Sequence, residues 1–285
     1  MLSSSHMRQT PSAVQAVAAP PLVPHDPDAS APAHAKFLGL RFCLWSQPEV
    51  VAAIAAAATP GRTVAYRYVV TPNSYHVVAA HDDPARLLPI YRAAWLSLCD
   101  SRIVRGLARL DRLRLPLVTG SDLVAALLAA LDAAEPTGSP QRILVVGPPP
   151  AAAVALRARY PRLTFEVLPA PGGLAHDAAL RRGVARACIA RQWDIALLCV
   201  GCPAQETIAH LLAEEGCRSG VALCVGASID FLTGARHRAP RLFQRLSLEW
   251  AYRLVREPRR LWRRYLVESP KILRIFIASR SRRGR

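Results

Sequence analysis

Three short polar clusters, each directly after an apolar run, carry the residue types that could do chemistry in this chain. Asp100 follows residues 95–99, Gly201-Cys202-Pro203-Ala204-Gln205-Glu206 follows residues 195–200, and Gly226-Ala227-Ser228-Ile229-Asp230 follows residues 221–225. A carboxylate at the end of a buried strand can be aimed at a bound hydroxyl and take its proton. Asp100 fits that task, and it also fits the N-cap of a helix starting at Ser101. Gln205 and Glu206 fall in the first turn after Pro203, where free N–H groups and the positive end of the helix dipole favour a diphosphate. Gln205 adds donors there, while Glu206 suits steadying the helix or meeting a ligand hydroxyl. Asp230 is placed to bind ligand hydroxyls or to cap a helix. Thr71 and Asn73 end an earlier apolar run and fit either a pocket or a turn. Gly147 and Gly172-Gly173 close two more runs, where backbone without a side chain can approach a ligand closely.

Other chemistries are poorly supported. There is no Gly-x-Gly-x-x-Gly and no phosphate-loop lysine, which argues against a dinucleotide or ATP enzyme. The eight histidines show no zinc-type spacing and the one Asp-x-Asp, Asp26-Pro27-Asp28, falls in the Pro-rich residues 1–36, so no metal and no other cofactor is expected. Cys199 and Cys202 match C-x-x-C, but Cys199 lies within an apolar run rather than at a helix start, so both read as core cysteines. Seven cysteines, mostly inside apolar runs and with no regular framework, fit a reducing cytoplasm.

The elements that position these clusters alternate. Strands are predicted over residues 62–71, 142–146, 163–168, 195–200 and 221–225, with short apolar runs at 95–99 and 115–118. Helices follow, including one over 123–134. Four strand–helix units with short loops predict an α/β fold with a Rossmann-like parallel sheet and flanking helices. Residues 1–36, rich in Pro, Ala and Ser, read as a disordered extension. Residues 37–239 read as one α/β domain, with halves at about 37–134 and 141–239 separated by the turn-rich residues 135–140. Residues 240–285 read as a basic, helical, amphipathic appendage.

Charge separates that appendage from the rest. Of the net +17, residues 236–285 hold 16 Lys/Arg against 3 Asp/Glu. Pro258 stands where a helix would begin, with Leu261, Trp262, Tyr265 and Leu266 on one face and Arg259, Arg260, Arg263 and Arg264 on the other. Arg pairs alternating with Trp, Tyr and Leu suit an anionic membrane surface better than nucleic acid. No stretch reaches the roughly eighteen apolar residues of a membrane span. The expected location is the cytoplasm, peripherally associated with the inner face of the cell membrane.

As an ordered set these residues resemble the WecG/TagA/CpsF family of bacterial glycosyltransferases. The matching pieces are Thr71-Pro72-Asn73, Asp100, Gly120-Ser121-Asp122-Leu123, the Gly201 and Gly226 clusters, Arg238-Ala239-Pro240, Glu249-Trp250, Tyr252-Arg253 and Glu257-Pro258. The resemblance implies inverting transfer from a UDP-sugar to a sugar on polyprenyl diphosphate, in the assembly of surface polysaccharide. It implies that Asp100 is the base and that Thr71, Asn73 and Asp122 belong to the pocket. By the same resemblance, Asp230 meets uridine or donor hydroxyls, and the appendage closes over the site with Arg253, Arg256, Arg259 and Arg260 near a diphosphate. Ser101 replaces the glycine usual after the base. Leu117 replaces an arginine common in relatives, for which Arg102 or Arg114 could substitute.

The expected function is therefore a hexosyltransferase for exopolysaccharide, with a UDP-sugar donor, a polyprenyl-diphosphate acceptor and an anionic membrane as partners. A homo-oligomer is compatible with this. The rival readings are a nucleic-acid-binding protein, from the basic tail, and an inactive scaffold of the same fold, from Ser101 and Leu117.

Overall fold

The computed structural model describes residues 32–60, 64–135, 139–236, 239, 240, 243 and 248–283. The expected extension up to residue 31 and half of the expected linker, residues 136–138, lie outside the described residues. Six parallel strands form the sheet: β3 (Arg67–Val70), β4 (Leu96–Ser97), β5 (Arg142–Gly147), β6 (Thr164–Pro169), β7 (Ile195–Leu198) and β8 (Val221–Cys224). Their order across the sheet is β4-β3-β8-β7-β5-β6. Both sequence halves therefore share one sheet, joined where β3 pairs with β8 from Arg67 opposite Val221 to Val70 opposite Cys224.

Alternation along these strands builds two cores. Tyr68, Val70, Leu144, Val146, Ala196, Leu198, Ala222 and Cys224 point to one face. Val69, Leu96, Ile143, Val145, Ile195, Leu197, Val221 and Leu223 point to the other. Burial on both faces is why the strands read as continuous apolar runs rather than alternating ones. Helices α2 (Ser74–Asp82), α3 (Pro84–Ala93), α4 (Arg102–Leu110), α7 (Ala178–Ile189) and α8 (Ala204–Glu214) contribute to the first core. Helices α1 (Gln47–Ala57), α5 (Gly120–Ala133), α6 (Ala151–Arg159) and α9 (Ser228–Leu232) contribute to the second.

Two expectations need correction. Residues 34–36 are not part of a disordered extension: β1 (His34–Phe37) pairs antiparallel with β2 (Leu40–Cys43), and Phe37 is buried in the first core. The short apolar run 115–118 is held beside β4 by one parallel bridge, Cys99 to Leu117. The tail does not present one apolar and one charged face. It runs through helix Glu249–Arg256, helix Pro258–Trp262, the π-helical stretch Arg263–Glu268 and helix Lys271–Arg283. Leu261 is buried while Trp262 and Leu266 are exposed. The last helix docks by Ile272 and Phe276, one turn apart, with Phe276 against Phe37 (ring centroids 6.2 Å).

Candidate active site

One cavity of about 630 Å³ opens at the carboxyl ends of β4, β3, β8 and β7. Open parallel sheets bind ligands at such strand ends, and the volume lies within the range of small-molecule pockets. Its wall includes Thr71 and Asn73 after β3, Asp100 after β4, Gly201 and Gln205 after β7, and Gly226 and Asp230 after β8. The tail supplies the opposite wall through Trp250, Arg253, Arg264, Tyr265, Leu266 and Leu273.

The base candidate is held by its backbone. Asp100 N–H donates to Pro72 O at 3.1 Å, and Val118 N–H donates to Cys99 O at 3.0 Å. Three chain segments thus meet under the half-buried Asp100 carboxylate. The capping alternative is answered by the neighbour: α4 starts at Arg102, and its N-cap is Ser101, whose Oγ accepts the Val104 N–H at 3.2 Å. The serine that replaces the usual glycine therefore fills the cap, and Asp100 is one residue outside it.

Thr71 and Asn73 combine both of their expected roles. The buried Thr71 hydroxyl donates to Cys224 O at 2.8 Å, locking β3 to β8 at the cavity floor. Asn73 caps α2, its Oδ1 accepting the Tyr75 N–H at 3.1 Å. Gln205 lies below the loops: its Oε1 accepts the Gly226 N–H at 3.0 Å and its Nε2 donates to Glu206 at 2.8 Å. Gly201 has φ +83°, a conformation that a side chain would strain, and it turns the chain from β7 into α8.

Five of the expected residues stand outside the cavity wall. Asp122 serves the start of α5, where its Oδ2 accepts the Thr119 hydroxyl at 2.7 Å and its N–H returns to Thr119 Oγ1. Gly147 is at the end of β5, where a Cβ would come within 2.9 Å of Cys199 O, so it is small for strand packing. Glu206 is fully buried beneath Gln205. Burial pulls its carboxyl up, but the His76 imidazole and the Gln205 amide outweigh that and hold it below the ordinary carboxylate range. Arg256 is exposed, its guanidinium 5.4 Å from the Tyr252 ring, and Arg259 is exposed on the following helix. Arg114, one candidate to replace the missing arginine at Leu117, is also outside the wall, whereas Arg102 lines it.

Two cationic residues in the wall were not expected there. Arg236 joins Asp230 (3.0 Å) to Glu257 (3.2 Å), tying α9 to the tail between its first two helices. Arg264, expected on the outer face of the tail helix, is half-buried and stacks 4.6 Å from the Tyr75 ring. Its Nε makes no hydrogen bond among the described residues. Arg264 lies three residues after the buried Leu261, so the two share one side of the helical tail. Arg253 also faces the cavity, 5.7 Å from the Phe231 ring. Cys199 and Cys202 are unbonded thiols, both pushed up by burial, the opposite of what a redox dithiol needs.

Residues 35–285 match the model of the glycosyl transferase WecG/TagA/CpsF family. An 86-residue stretch is 38% identical to the N-acetylglucosaminyldiphosphoundecaprenol N-acetyl-beta-D-mannosaminyltransferase of Bacillus spizizenii, covering 30% of this chain and 33% of that protein. The chain thus spans about a third of the length of that curated relative. Since the family match runs from β1 through the tail, including every strand that forms the cavity, this chain belongs to the WecG/TagA/CpsF family of glycosyl transferases.

Proposed function

We propose that this protein is an inverting glycosyltransferase that moves a hexose-type sugar from UDP to a saccharide carried on polyprenyl diphosphate, in the assembly of an exopolysaccharide. The observation that carries the reading is the convergence of the Asp100 carboxylate with Arg102, Arg236, Arg253 and Arg264 around one cavity. The printed activity of the Bacillus relative, on a diphosphoundecaprenol-linked acceptor, supports the acceptor class.

In this reading Asp100 takes the proton of the acceptor hydroxyl as its oxygen attacks the anomeric carbon. The new C–O bond forms on the face opposite the departing group, so the configuration inverts. The bond from the anomeric carbon to UDP breaks with its electron pair going to the diphosphate. Arg253 and Arg264 meet that growing negative charge with charge-assisted hydrogen bonds in a partly water-excluded site.

The tail also supports a peripheral place at the membrane. Trp262, Leu266, Val267, Leu273 and Ile277 are exposed there, among Arg259, Arg263 and Arg274. Among the described residues no helix is long and apolar enough to cross a membrane. The nucleic-acid reading is weakened, because two arginines of the basic tail, Arg253 and Arg264, line the cavity.

A thermal shift assay tests the donor. UDP is expected to raise the melting midpoint and ADP to leave it unchanged. Ligand at a hundred times its dissociation constant contributes about 2.7 kcal/mol, which is readily measured. Equal stabilisation by both nucleotides, or by neither, would contradict a UDP-sugar donor.

A further inference from the structure

At the cavity floor lies a group of side chains to which the proposed transfer reaction assigns no role. The ligand atoms of His76, Cys202 and Glu206 all lie within 4.8 Å of one another. They come from three places, the first turn of α2, the loop after β7 and the first turn of α8, and so the sequence shows no metal spacing. His76 is 4% exposed and Glu206 fully buried.

The cluster is polar and incompletely satisfied. His76 Nε2, Glu206 Oε2 and the Tyr91 hydroxyl are buried and make no hydrogen bond among the described residues. Tyr91 is close enough to Cys202 and Glu206 to feel both. Each orphaned buried polar atom costs about 1–3 kcal/mol, and such atoms in a native fold call for a water or an ion.

The contacts of the histidine ring bear on this. Asn73 Oδ1 accepts the Tyr75 N–H, so that atom is the oxygen and not the nitrogen of the amide. His76 Nδ1 lies 2.8 Å from it and also takes the Asn73 backbone N–H at 3.3 Å, so either tautomer of the ring has a partner there. With Nδ1 donating to Asn73 Oδ1, Nε2 carries a lone pair 3.2 Å from the Glu206 carboxylate, and a cation can be held between the two. Vertices about 2.0 Å from a tetrahedral zinc are about 3.3 Å apart, close to that 3.2 Å. A histidine that binds metal through one nitrogen and donates the other N–H to a carbonyl is the usual outer-shell arrangement, and Asn73 provides that carbonyl.

We propose that His76 Nε2, Cys202 Sγ and Glu206 form a three-ligand site for a zinc-type divalent cation, with its fourth position turned to the cavity. Imidazole, thiolate and carboxylate together select zinc over magnesium or calcium. His76 and Cys202 both line the cavity, which gives the ion an entry path and a water for the remaining position. Binding displaces the thiol proton of Cys202 and fixes the loop from Gly201 to Pro203 against α2.

The test uses the purified full chain, stripped with chelator and titrated with Zn²⁺ alone against a chromophoric competitor, then with Co²⁺. Expected are one ion per chain and a sulfur-to-cobalt charge-transfer band. Cys202→Ser should abolish the band, His76→Gln should weaken zinc binding at least tenfold, and Asn73→Ala should weaken it about 10–100-fold. Should the variants fold poorly, alkylation of the wild-type chain decides: Zn²⁺ should protect Cys202 and leave Cys217 unaffected. No saturable uptake, a charge-transfer band that survives Cys202→Ser, or no protection of Cys202 would overturn the site.

Discussion

Gln205 Oε1 accepts the backbone N–H of Gly226 at 3.0 Å, while its amide nitrogen donates to the buried Glu206 carboxylate at 2.8 Å. One buried side chain therefore straps the start of α8 to the loop after β8, the two segments that carry the chain's strongest motifs. Their separation in sequence disguises a direct physical coupling. Gln205→Ala should remove both bonds and leave a Glu206 oxygen short of a donor. A loss of about 1–3 kcal/mol in urea unfolding is expected. Unchanged stability would show that the strap holds nothing.

Asp100→Asn isolates the base. Ser101, not Asp100, caps α4, so the melting midpoint should move little. Turnover should fall by roughly two to four orders of magnitude while UDP still binds. A variant that melts early but keeps near-normal turnover would return Asp100 to a structural role.

Arg263 and Arg264 are adjacent and should behave differently. Arg263 is exposed and pairs with Glu268 at 3.5 Å, whereas Arg264 lines the cavity over Tyr75. Arg263→Glu should weaken binding to anionic vesicles, more so at low salt, and spare turnover on a detergent-soluble short-chain acceptor. Arg264→Glu should damage turnover on that same soluble acceptor. Equal effects of the two on vesicle binding, with no effect on turnover, would contradict the inward placement.

Glu206 should contribute a pH dependence to stability in the metal-free protein. Its folded-state pKa is held below the ordinary 4.5, so the folded state resists protonation more than the unfolded chain does. That contribution is present above about pH 4.5 and is lost as pH falls through the folded value. Denaturation curves should therefore show wild type losing more stability on acidification than Glu206→Gln. Parallel curves would mean that the carboxyl titrates alike in both states.

Much of this architecture is legible in the sequence because strands buried on both faces are apolar throughout, and β5, β7 and β8 stand out for that reason. Asp100, Gln205 and Asp230 are legible because each follows such a run. Strand order is not written there. Gly147 and Gly172-Gly173 look like strand-end loops equivalent to Gly201 and Gly226, but β5 and β6 fall on the far side of β7, away from the cavity. Arg264 is hidden for a different reason: the apolar Trp262 and Leu266 suggest the inward face, but they are exposed, and the buried residue is Leu261, three positions before Arg264. Arg236 carries no local signal at all; its role depends on Asp230 and Glu257 meeting in space.

The most direct test is transfer itself. The purified chain is given a panel of UDP-hexoses and a synthetic polyprenyl diphosphate bearing N-acetylglucosamine, and the products are read by mass spectrometry and the anomeric coupling by NMR. The account predicts addition of one sugar with stoichiometric release of UDP, inversion at the anomeric carbon, and near-complete loss in Asp100→Asn. Retention of configuration, or equal transfer by wild type and Asp100→Asn, would contradict it.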